Sequence, residues 1–310
     1  MLERFAVIGA SSFSGRSFCR YLRALGIAPL ELSRPAYDLN KSHDAFERAL
    51  CWGPDTPEYV VNFAALNVVA DSWKHYADYY QTNVVGISRL AGLLSGLKSL
   101  KRYVHISTPE VYGTTQTFLK EDAPYRPSTP YAVSRAAADM HMLALHRATG
   151  FPVSITRSVN VYGRGQQIHR VIPKTVLKIL RGERLQLHGG GISTRSFIHI
   201  DDVSASVLAV ARRGRSGEIY HTSTARQTSI RELVEAICKL MGARFADVVE
   251  PWEERVGKDM AYQLDSGKIR AELGWEDKIE LESGLADAVA WFIDHEADFA
   301  GQPLEYRHVP

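Results

Sequence analysis

Residues 7–15 read VIGASSFSG, with Gly9 and Gly15 placed between a predicted strand and a predicted helix. A short β-rich run at 5–9 leads into this stretch, and residues 15–25 follow with apolar side chains at helical spacing. Glycines between a first strand and a first helix let the backbone approach a pyrophosphate, whose charge is met by the helix N-terminus. The middle glycine usual in such turns is replaced by Ser12. The stretch predicts a dinucleotide-binding turn.

Strand and helix segments alternate through the first half of the chain. Further strands are predicted at 30–32, 59–64, 103–107 and 153–157, and helices at 71–80, 86–97 and 131–149. Such alternation indicates a parallel sheet with helices on both faces. The second half is more mixed, with helices near 171–181, 203–212, 229–241 and 283–294. We expect an α/β fold, with a Rossmann-type doubly wound parallel sheet over 1–162, to which part of 194–225 returns, and a smaller mixed α/β substrate domain over 163–310.

The composition gives no sign of a nucleic-acid or membrane partner. The 310 residues carry a net charge of +2, without the strong basic excess of nucleic-acid-binding proteins. No apolar run reaches the ~18 residues of a membrane span, and the N-terminus reads as a strand and not as a signal peptide. Cys19, Cys51 and Cys238 lie far apart, which favours free thiols in a reducing compartment. We expect a soluble cytoplasmic protein.

The end of the second strand bears on the choice of dinucleotide. A carboxylate there would bind the ribose 2′-hydroxyl of NAD, but this chain has Ser33 and Arg34. An arginine suits a 2′-phosphate, which favours NADP, with NAD as the alternative. Asp38 is interpreted as an acceptor for the adenine amino group or as the cap of a turn. The predicted cofactor contacts are Gly9, Ser12, Phe13, Ser14, Gly15, Ser33, Arg34, Asp38, Leu39, Phe63, Ala64, Ala65, Tyr131 and Arg135.

Tyr131 and Arg135 lie four residues apart, so on a helix they share one face. A tyrosine beside a fixed cation has its phenolate stabilised and its pKa lowered. Such a tyrosine can take a proton from a sugar hydroxyl while a hydride leaves for nicotinamide. Thr108, at the end of the preceding strand, can hydrogen-bond the same hydroxyl. These residues predict an oxidation site beside the cofactor.

Several motifs stand in an order that resembles the extended short-chain dehydrogenase/reductase family. They are GASSFSG at 9–15, FAAL at 63–66, STPEVYG at 107–113, PYAVSRAAADM at 130–140, NVYG at 160–163 and RSFIHIDDV at 195–203. The set is most similar to members that modify nucleotide sugars: dTDP-glucose and GDP-mannose 4,6-dehydratases, UDP-glucuronate decarboxylases and UDP-sugar 4-epimerases. The resemblance runs from about residue 4 to about residue 291, and it implies a nucleotide-diphosphate sugar as substrate.

The resemblance implies a role for each residue of the catalytic segment. Tyr131 matches the base for oxidation at C4, and Thr108 matches the serine or threonine beside it. Arg135 stands at the family's lysine position, where it keeps the charge but cannot relay a proton. Glu110 matches the glutamate with which 4,6-dehydratases remove the C5 proton. Pro109 stands where dTDP-glucose dehydratases have an aspartic acid that protonates the leaving 6-hydroxyl, so Glu110 or a water is expected to supply that proton.

The substrate contacts that the resemblance implies are Ser72, Pro109, Asn160, Arg170, Arg195 and Arg255. Arg195 and Arg255 match arginines near the phosphates or ribose, and Asn160 matches an asparagine that binds the diphosphate sugar. Arg170 falls near a basic position of the family, and Ser72 falls near the sugar. The arginines Arg170, Arg195 and Arg255 would supply the positive charge that the two phosphates of the substrate require.

His199, Asp201 and Asp202 offer side chains that could bind a metal. Read as a strand, the segment puts His199 and Asp201 on one face and Asp202 on the other. No third ligand is evident and the resemblance needs no metal, so we expect none. The GGG triplet at 189–191 is interpreted as a turn near the nucleotide base and not as a phosphate loop.

The leading hypothesis is an NAD(P)-dependent nucleotide-sugar 4,6-dehydratase. A 4-epimerase or a UDP-glucuronate decarboxylase on the same fold is the first alternative, and a reductase or a 5,6-dehydratase also stays open. A non-catalytic NADP-binding protein is the alternative from another class, against which the intact Tyr131, Thr108 and Glu110 argue. Family members usually dimerise through helices that correspond to 71–97 and 131–149, so the resemblance implies a homodimer. The nucleotide and the sugar do not follow from the sequence.

Overall fold

A parallel sheet with helices on both sides forms the body of the molecule, in a computed structural model that describes residues 3–41, 43–51, 56–114, 117–253 and 263–308. The strands are β1 (Phe5–Ile8), β2 (Leu30–Leu32), β3 (Tyr59–Asn62), β4 (Arg102–Ile106), β5 (Phe118–Leu119), β6 (Val153–Ser158), β7 (Asn160–Tyr162), β8 (Leu185–His188), β9 (Thr194–Arg195), β10 (Phe197–His199), β11 (Ile219–Thr222), β12 (Thr228–Ser229), β13 (Val249–Trp252) and β14 (Gln263–Leu264). The helices are α1 (Phe13–Ala24), α2 (Asp44–Cys51), α3 (Val69–Ser72), α4 (Tyr76–Tyr80), α5 (Ile87–Ser95), α6 (Pro130–Thr149), α7 (Val171–Leu180), α8 (Ile200–Arg213), α9 (Ile230–Leu240), α10 (Phe245–Val248), α11 (Gly267–Leu273) and α12 (Leu281–Asp294). A π-helical turn at Gln81–Gly86 joins α4 to α5, and 3-10 turns lie at Pro109–Tyr112, Glu296–Phe299 and, as predicted for the glycine triplet, Gly189–Gly191.

The main sheet has six strands in the order β11-β6-β4-β3-β1-β2, and every neighbouring pair is parallel. The chain winds to one side from β1 to β2 and to the other side from β3 onward. Sheets of this kind bind ligands in the crevice where the winding reverses, at the carboxyl ends of the strands. The predicted Rossmann-type α/β fold is therefore confirmed. β11 comes from the second half of the chain, and the domain boundary after residue 162 stays a prediction.

Both faces of the sheet are apolar because helices cover both. On β1, Phe5 and Val7 pack with α1 and α8, while Ala6 and Ile8 pack with α2 and α5. Burying one side chain of the size of Val or Ile stabilises the fold by roughly 1.5–3 kcal/mol. A separate cluster around Phe292 joins α7, α9 and α12. The smaller half of the molecule therefore has its own apolar centre.

Two predicted helices have bounds that the structure corrects. The helix predicted at 71–80 is broken at His75, whose backbone (φ −126°, ψ 34°) leaves the helical region between α3 and α4. The helix predicted at 86–97 begins earlier, since α4 runs into it through the π-helical turn. Gly86 permits this close packing: a Cβ there would lie 2.8 Å from Cβ of Leu39, a predicted cofactor contact. The strand predicted at 59–64 ends two residues earlier, and α2 was not predicted.

The described part of the chain contains no helix that is both long and apolar enough to span a bilayer. All three cysteines are free, as the sequence predicts. Cys19 packs into the core from α1, where burial raises its pKa to about 11, so it stays a neutral thiol and behaves as a small hydrophobic side chain.

Candidate cofactor and catalytic site

The turn between β1 and α1 is too tight for side chains at its two glycines. Gly9 has φ 74°, and a Cβ there would lie 2.7 Å from the backbone nitrogen of Ala64. A Cβ at Gly15 would lie 2.2 Å from the carbonyl oxygen of Gly9. Ser12 caps α1 by accepting the N–H of Gly15 at 3.1 Å, so a helix cap replaces the missing middle glycine. This turn fits a pyrophosphate, because its backbone can approach closely and the N-terminus of α1, formed by residues 13 and 14, faces it.

The end of β2 carries the residues that bear on the dinucleotide's ribose. Ser33 Oγ accepts the N–H of Ser11 at 2.8 Å, which ties β2 to the glycine turn. Arg34 is exposed next to it. Asp38 accepts the N–H of Asn40 at 2.9 Å, which is the turn-capping alternative for this residue. Ser33 and Arg34 therefore lie beside the position that the ribose of a dinucleotide bound at the turn would occupy.

The loop after β3 passes beside the same turn and is held by two amides. The carboxamide of Asn62 accepts the N–H of Ala64 at 3.0 Å. Asn83, in the π-helical turn, accepts the N–H of Leu66 and donates to its carbonyl oxygen, both at 3.0 Å. The amide of Asn83 also donates to Ser134 Oγ of α6 at 3.0 Å. Sequence reasoning missed Asn83, because nothing in the QTNVVG segment marks this amide as buried.

Thr108, Glu110 and Tyr131 meet at the carboxyl end of the sheet. Thr108 caps the 3-10 turn that follows β4, and its Oγ1 accepts the N–H of Glu110 at 3.3 Å. Tyr131 lies in the first turn of α6, which Thr129 caps by accepting the N–H of Ala132 at 3.1 Å. A hydrogen bond joins the side chains of Tyr131 and Thr108. Two independent caps thus position the three candidate catalytic side chains.

The pKa of Tyr131 is raised, which is opposite to the sequence prediction. Burial is the largest cause, because a buried phenolate loses its hydration. The positive charge of Arg135 lowers the pKa, the charge of Glu110 raises it, and the hydrogen bond from Thr108 and the charge of Arg170 lower it. The predicted cation effect is present but smaller than the effect of burial. Arg170, predicted as a substrate contact, is brought close to Tyr131.

The guanidinium of Arg135 lies in the interior, with 3% of the residue exposed. Its Nη2 donates to the carbonyl oxygen of Ile106 and lies 3.5 Å from Nε2 of His105. Its Nε and Nη1 are buried and have no hydrogen-bond partner among the described residues. Buried donors left without a partner cost free energy. These two donors, one helical turn from Tyr131, fit the hydroxyl groups of a ribose bound at this site.

A buried ion pair that sequence reasoning missed lies behind Arg135. Asp139 and Arg157 are fully buried, and Nη2 of Arg157 lies 2.8 Å from Oδ2 of Asp139. Ser107 donates to the same oxygen at 2.7 Å. His105 Nε2 lies 3.5 Å from Oδ1 of Asp139, and burial, followed by the charges of Arg135 and Arg157, holds the pKa of His105 well below its usual value. The pair connects α6 to β4 and β6 beneath the candidate catalytic residues.

Two aromatic rings enclose the guanidinium of Arg157. Its Cζ lies 4.6 Å from the ring centre of Tyr112 and 4.8 Å from that of Tyr125, and both hydroxyls accept hydrogen bonds from it. The hydroxyl of Tyr112 lies 2.8 Å from Nε2 of His221, whose pKa burial lowers to about 3. The positive charge of Arg157 is therefore compensated by the side chains of this cluster. In the sequence, the signal was one arginine in an otherwise strand-like VSITRS segment.

The other predicted substrate residues lie on several elements. Pro109 is buried directly after Thr108, at the start of the 3-10 turn. Asn160 lies on β7, and Arg195 is buried on β9. Ser72 is buried and donates its hydroxyl back into its own helix. Arg255 lies outside the described residues.

The strand interpretation of the segment around His199 holds for His199 and was wrong for Asp201 and Asp202. His199 ends β10 and caps α8, since its Nδ1 accepts the N–H of Asp201 at 3.2 Å. Asp202 points inward from the first turn of α8 and accepts the N–H groups of Lys278 and Ile279 at 3.1 and 3.0 Å. The alternating sequence pattern gave no sign that a helix begins at Ile200, because the cap that starts this helix is formed by contacts that only the folded structure shows. The three side chains have structural partners of their own.

Comparison with known proteins agrees with this geometry. The family described as GDP-mannose 4,6 dehydratase matches residues 53–288. The chain is 36% identical over 239 residues to a dTDP-glucose 4,6-dehydratase of Streptomyces niveus, which covers 77% of this chain and 70% of that one. It is 33% identical to a dTDP-glucose 4,6-dehydratase of Streptomyces griseus, with 95% of both chains covered.

Solved structures show the same architecture. A double mutant of the dTDP-glucose 4,6-dehydratase DesIV of Streptomyces venezuelae, solved with NAD bound, has a TM-score of 0.89 and 30% identity, and the match covers 97% of this chain and 100% of that one. A UDP-glucose 4-epimerase of Thermotoga maritima, solved with UDP-glucose, has a TM-score of 0.87 and 25% identity, with 94% and 99% covered.

Proposed function

The chain belongs to the GDP-mannose 4,6-dehydratase family and is a nucleotide-sugar 4,6-dehydratase of the extended short-chain dehydrogenase/reductase kind, and we propose that Tyr131, Glu110 and Thr108 carry out its reaction. The observation that carries this proposal is the meeting of these three side chains in one buried site, beside a turn that fits a dinucleotide. The substrate is a nucleotide-diphosphate sugar, the class of ligand that the solved relatives bind.

The first step is oxidation of the sugar at C4. Thr108 holds the 4-hydroxyl, and Tyr131 accepts its proton. When bound, NAD(P)+ supplies the acceptor for the hydride from C4, and the same hydride returns to C6 at the end of the reaction. Arg135 favours the phenolate form of Tyr131 and offers its two unpartnered donors to the ribose. These residues account for a transient oxidation that leaves the cofactor unchanged after each turnover.

The second step is loss of water between C5 and C6. The C4 ketone makes the C5 hydrogen acidic, and Glu110 takes this proton. The C6–O bond breaks, and because Pro109 has no proton to give, Glu110 or a water delivers one to the departing hydroxyl. C5 regains a proton when the hydride reaches C6, which balances the proton taken by Tyr131. The product is a 4-keto-6-deoxy sugar nucleotide.

The deciding experiment is mass spectrometry of purified protein incubated separately with GDP-mannose, dTDP-glucose, CDP-glucose, UDP-glucose, UDP-N-acetylglucosamine and UDP-glucuronate. We expect one of these to lose one water. Tyr131→Phe and Glu110→Gln should lower the rate by about 100-fold or more, the range that general acid–base catalysis contributes. Tyr21→Phe and Glu235→Gln, away from the site, serve as matched controls. Loss of carbon dioxide would replace the proposal with a decarboxylase.

The epimerase alternative keeps one supporting observation, the fold shared with a UDP-glucose 4-epimerase. An epimerase would use Tyr131 in the same way but would need no base at C5. Inversion at C4 without mass change, detected by NMR and retained in Glu110→Gln, would establish this alternative. No conversion of any substrate, with a bound dinucleotide, would point to the non-catalytic alternative.

We infer that the dinucleotide is NADP, because Ser33 and Arg34 stand where NAD-specific proteins have a carboxylate, although relatives were solved with NAD. Arg34→Ala should weaken NADP binding by roughly 10- to 150-fold, since charge-assisted hydrogen bonds are worth ~1.5–3 kcal/mol, and leave NAD binding unchanged. The check is calorimetric titration with both dinucleotides, with Arg48→Ala as the control on α2. Tighter binding of NAD than of NADP by the unmodified protein would contradict this inference.

We infer a homodimer from an exposed apolar surface on α3, α4 and α6. Its members are Trp73 and Tyr76, each 56% exposed, with Tyr80, Val133 and Met140. Isolated exposed apolar residues are ordinary, but a group of this size marks an interaction site. Met140→Glu should shift the light-scattering mass from dimer to monomer, while Ile293→Glu, on the exposed part of α12, should not. A monomeric mass for the unmodified chain would contradict the inference.

A further inference from the structure

A cluster of four titratable side chains lies outside the reaction described above. The imidazole of His308 lies between two carboxylates, with Nδ1 2.6 Å from Oδ2 of Asp71 and Nε2 2.9 Å from Oδ2 of Asp78. Its ring stacks on that of His75, with centres 4.0 Å apart and planes 3° from parallel. The side chain of His308 is 12% exposed. These four residues, Asp71, His75, Asp78 and His308, are called the clamp below.

Hydrogen-bond chemistry fixes the form of His308 in the clamp. Ionised carboxylates only accept hydrogen bonds, and a neutral imidazole donates from one nitrogen only. Two carboxylate partners at bonding distance therefore require both nitrogens to carry a proton, which makes the ring a cation. His75 faces the same carboxylates at longer range, 3.8 Å from Asp71 and 4.0 Å from Asp78. The clamp is thus a charge-assisted arrangement, of the stronger class of hydrogen bonds.

A metal ion is the other occupant that these residue types suggest. One ligand atom from each of Asp71, His75 and His308 lies within 4.8 Å of the others. The lone pair of an imidazole nitrogen lies in the plane of its ring, however, and two parallel stacked rings cannot direct lone pairs to one ion between them. Both nitrogens of His308 also already have a carboxylate oxygen at hydrogen-bonding distance. The observed geometry favours the cation of His308 over a bound metal.

Segment 304–308 connects the clamp to the other half of the molecule. Leu304 is buried, Glu305 lies 3.3 Å from Nζ of Lys174 on α7, and the ring of Tyr306 packs edge-on against His169, with centres 5.2 Å apart. From there the chain reaches His308 and the α3–α4 region. The segment therefore spans from α7 to the helices beside the candidate active site.

One aromatic ring separates the clamp from the candidate base. Tyr79 is fully buried, and its ring centre lies 6.2 Å from that of Tyr131 and 6.3 Å from that of His308. The hydroxyl of Tyr79 donates to the carbonyl oxygen of Val68 at 2.7 Å and lies 3.3 Å from Oδ2 of Asp71. The ring of Tyr79 therefore contacts both the clamp and the ring of Tyr131.

We propose that His308 is a positioning residue: as a cation between Asp71 and Asp78, it fixes α3 and α4 and thereby the ring of Tyr79 against Tyr131. The kinetic part of this inference rests on the proposed function, while the clamp itself does not. His308→Ala removes both hydrogen bonds and the stack. His308→Arg keeps a positive charge and two donors, so it should restore most of what His308→Ala loses.

The clamp is tested without any activity measurement. In protein labelled with nitrogen-15 histidine, with the signals of His308 assigned by their loss in His308→Ala, we expect both ring nitrogens to be protonated at pH 7. Hydrogen exchange at residues 68–80 should accelerate about tenfold in His308→Ala and stay near the unmodified rate in His308→Arg. A neutral ring, or unchanged exchange in His308→Ala, would overturn the proposal. So would micromolar binding of zinc chloride in calorimetry that His308→Ala abolishes.

The positioning role is tested by kinetics on the substrate that the mass-spectrometric screen identifies. His308→Ala should lower kcat by about tenfold with little change in KM, because misplacing a catalytic group by a fraction of an ångström slows the chemical step. His295→Ala is the matched control, since His295 also stacks on an aromatic ring, Trp291, at 4.1 Å but lies outside the clamp. An unchanged kcat in His308→Ala alongside faster exchange would reject the positioning role. Absence of activity in the unmodified protein would reject the proposed function and leave the clamp result standing.

Discussion

Arg135 places a permanent positive charge one helical turn from the candidate base Tyr131. A lysine at this position can lose its charge within the working pH range, whereas an arginine cannot. In this structure burial raises the pKa of Tyr131 and the charge of Arg135 opposes that rise. Arg135 therefore helps to set how much of Tyr131 is ionised at a given pH.

Replacing this cation should move the pH dependence of the reaction. Arg135→Met removes a positive charge beside the phenolate, so the pKa of Tyr131 rises further and the acidic limb of kcat/KM shifts to higher pH, by about one unit for ~1.4 kcal/mol of lost interaction. Arg135→Lys keeps the charge as long as the lysine is protonated, so it should leave this limb in place below the pH at which the lysine titrates. Profiles of kcat/KM between pH 6 and 10 check both, with Arg226→Met as the control. An acidic limb that Arg135→Met leaves unmoved would show that Tyr131 ionises independently of this cation.

At the scale of elements, helix α6 carries the candidate base because of how it begins. Thr129 caps it and Pro130 occupies its first position, where a missing N–H costs nothing. Helix α9 begins in a comparable way, with Ser229 in a reciprocal capping box with Glu232. The two helices differ in that Tyr131 lies within the first turn of α6. Removing each cap in turn therefore distinguishes an effect on the stability of the fold from an effect on the position of Tyr131.

Removing the two caps should separate these effects. Thr129→Ala and Ser229→Ala should each lower the free energy of unfolding by about 1 kcal/mol, the usual loss for a cap. Thr129→Ala alone should also lower kcat by about tenfold, because the first turn of α6 frays around Tyr131. Urea unfolding and steady-state kinetics on both variants check this. Equal loss of activity in the two would mean that α6 needs no cap to place its tyrosine.

The elements that could be predicted from the sequence are those with local causes. The glycine turn and the four-residue spacing of Tyr131 and Arg135 are complete within a few positions, and the structure contains both. The π-helical turn at Gly86 depends on packing against another part of the chain, at Leu39. Asp201 and Asp202 were assigned to a strand because the helix start that His199 caps appears only with the fold. Local periodicity does not contain such information.

At the scale of the whole molecule, buried neutral histidines tie stability to pH. Burial lowers the pKa of His221 to about 3 and that of His105 well below its usual value, while both titrate near 6.5 in an unfolded chain. Below pH 6.5 the unfolded chain binds protons that the folded chain does not, so acid favours unfolding. Each fully buried histidine then removes ~1.4 kcal/mol of stability per pH unit until its folded pKa is reached.

Stability should therefore fall steeply on mild acidification. The urea midpoint should drop between pH 7.5 and 5.5, before most carboxylates titrate, and the slope should be smaller in His221→Gln. His141→Gln, on α6 and partly exposed, should keep the slope of the unmodified protein. A midpoint that stays flat over this range would mean that these histidines are already charged in the folded state.

The buried network around Asp139 shows why the site as a whole could be predicted only in part. Its members come from β4, the 3-10 turn, α6, β6 and β11, and in the sequence they lie far apart without a shared motif. Only the sheet order brings them together. Sequence reasoning found the residues proposed to touch substrate, because a resemblance and short motifs carry them. It missed the residues beneath, which no short motif carries.

The Asp139–Arg157 pair has a consequence for how this sequence can vary. Removing one partner of a fully buried pair leaves an uncompensated charge and costs about 3–5 kcal/mol, while replacing both with apolar residues of similar volume can be neutral. The two positions are 18 residues apart, yet we expect a substitution at either to be tolerated only when the other changes with it. Among homologous chains, substitutions at these two positions should therefore occur together. In a library randomised at both positions, folded clones should contain either the ion pair or two apolar side chains, with few mixtures.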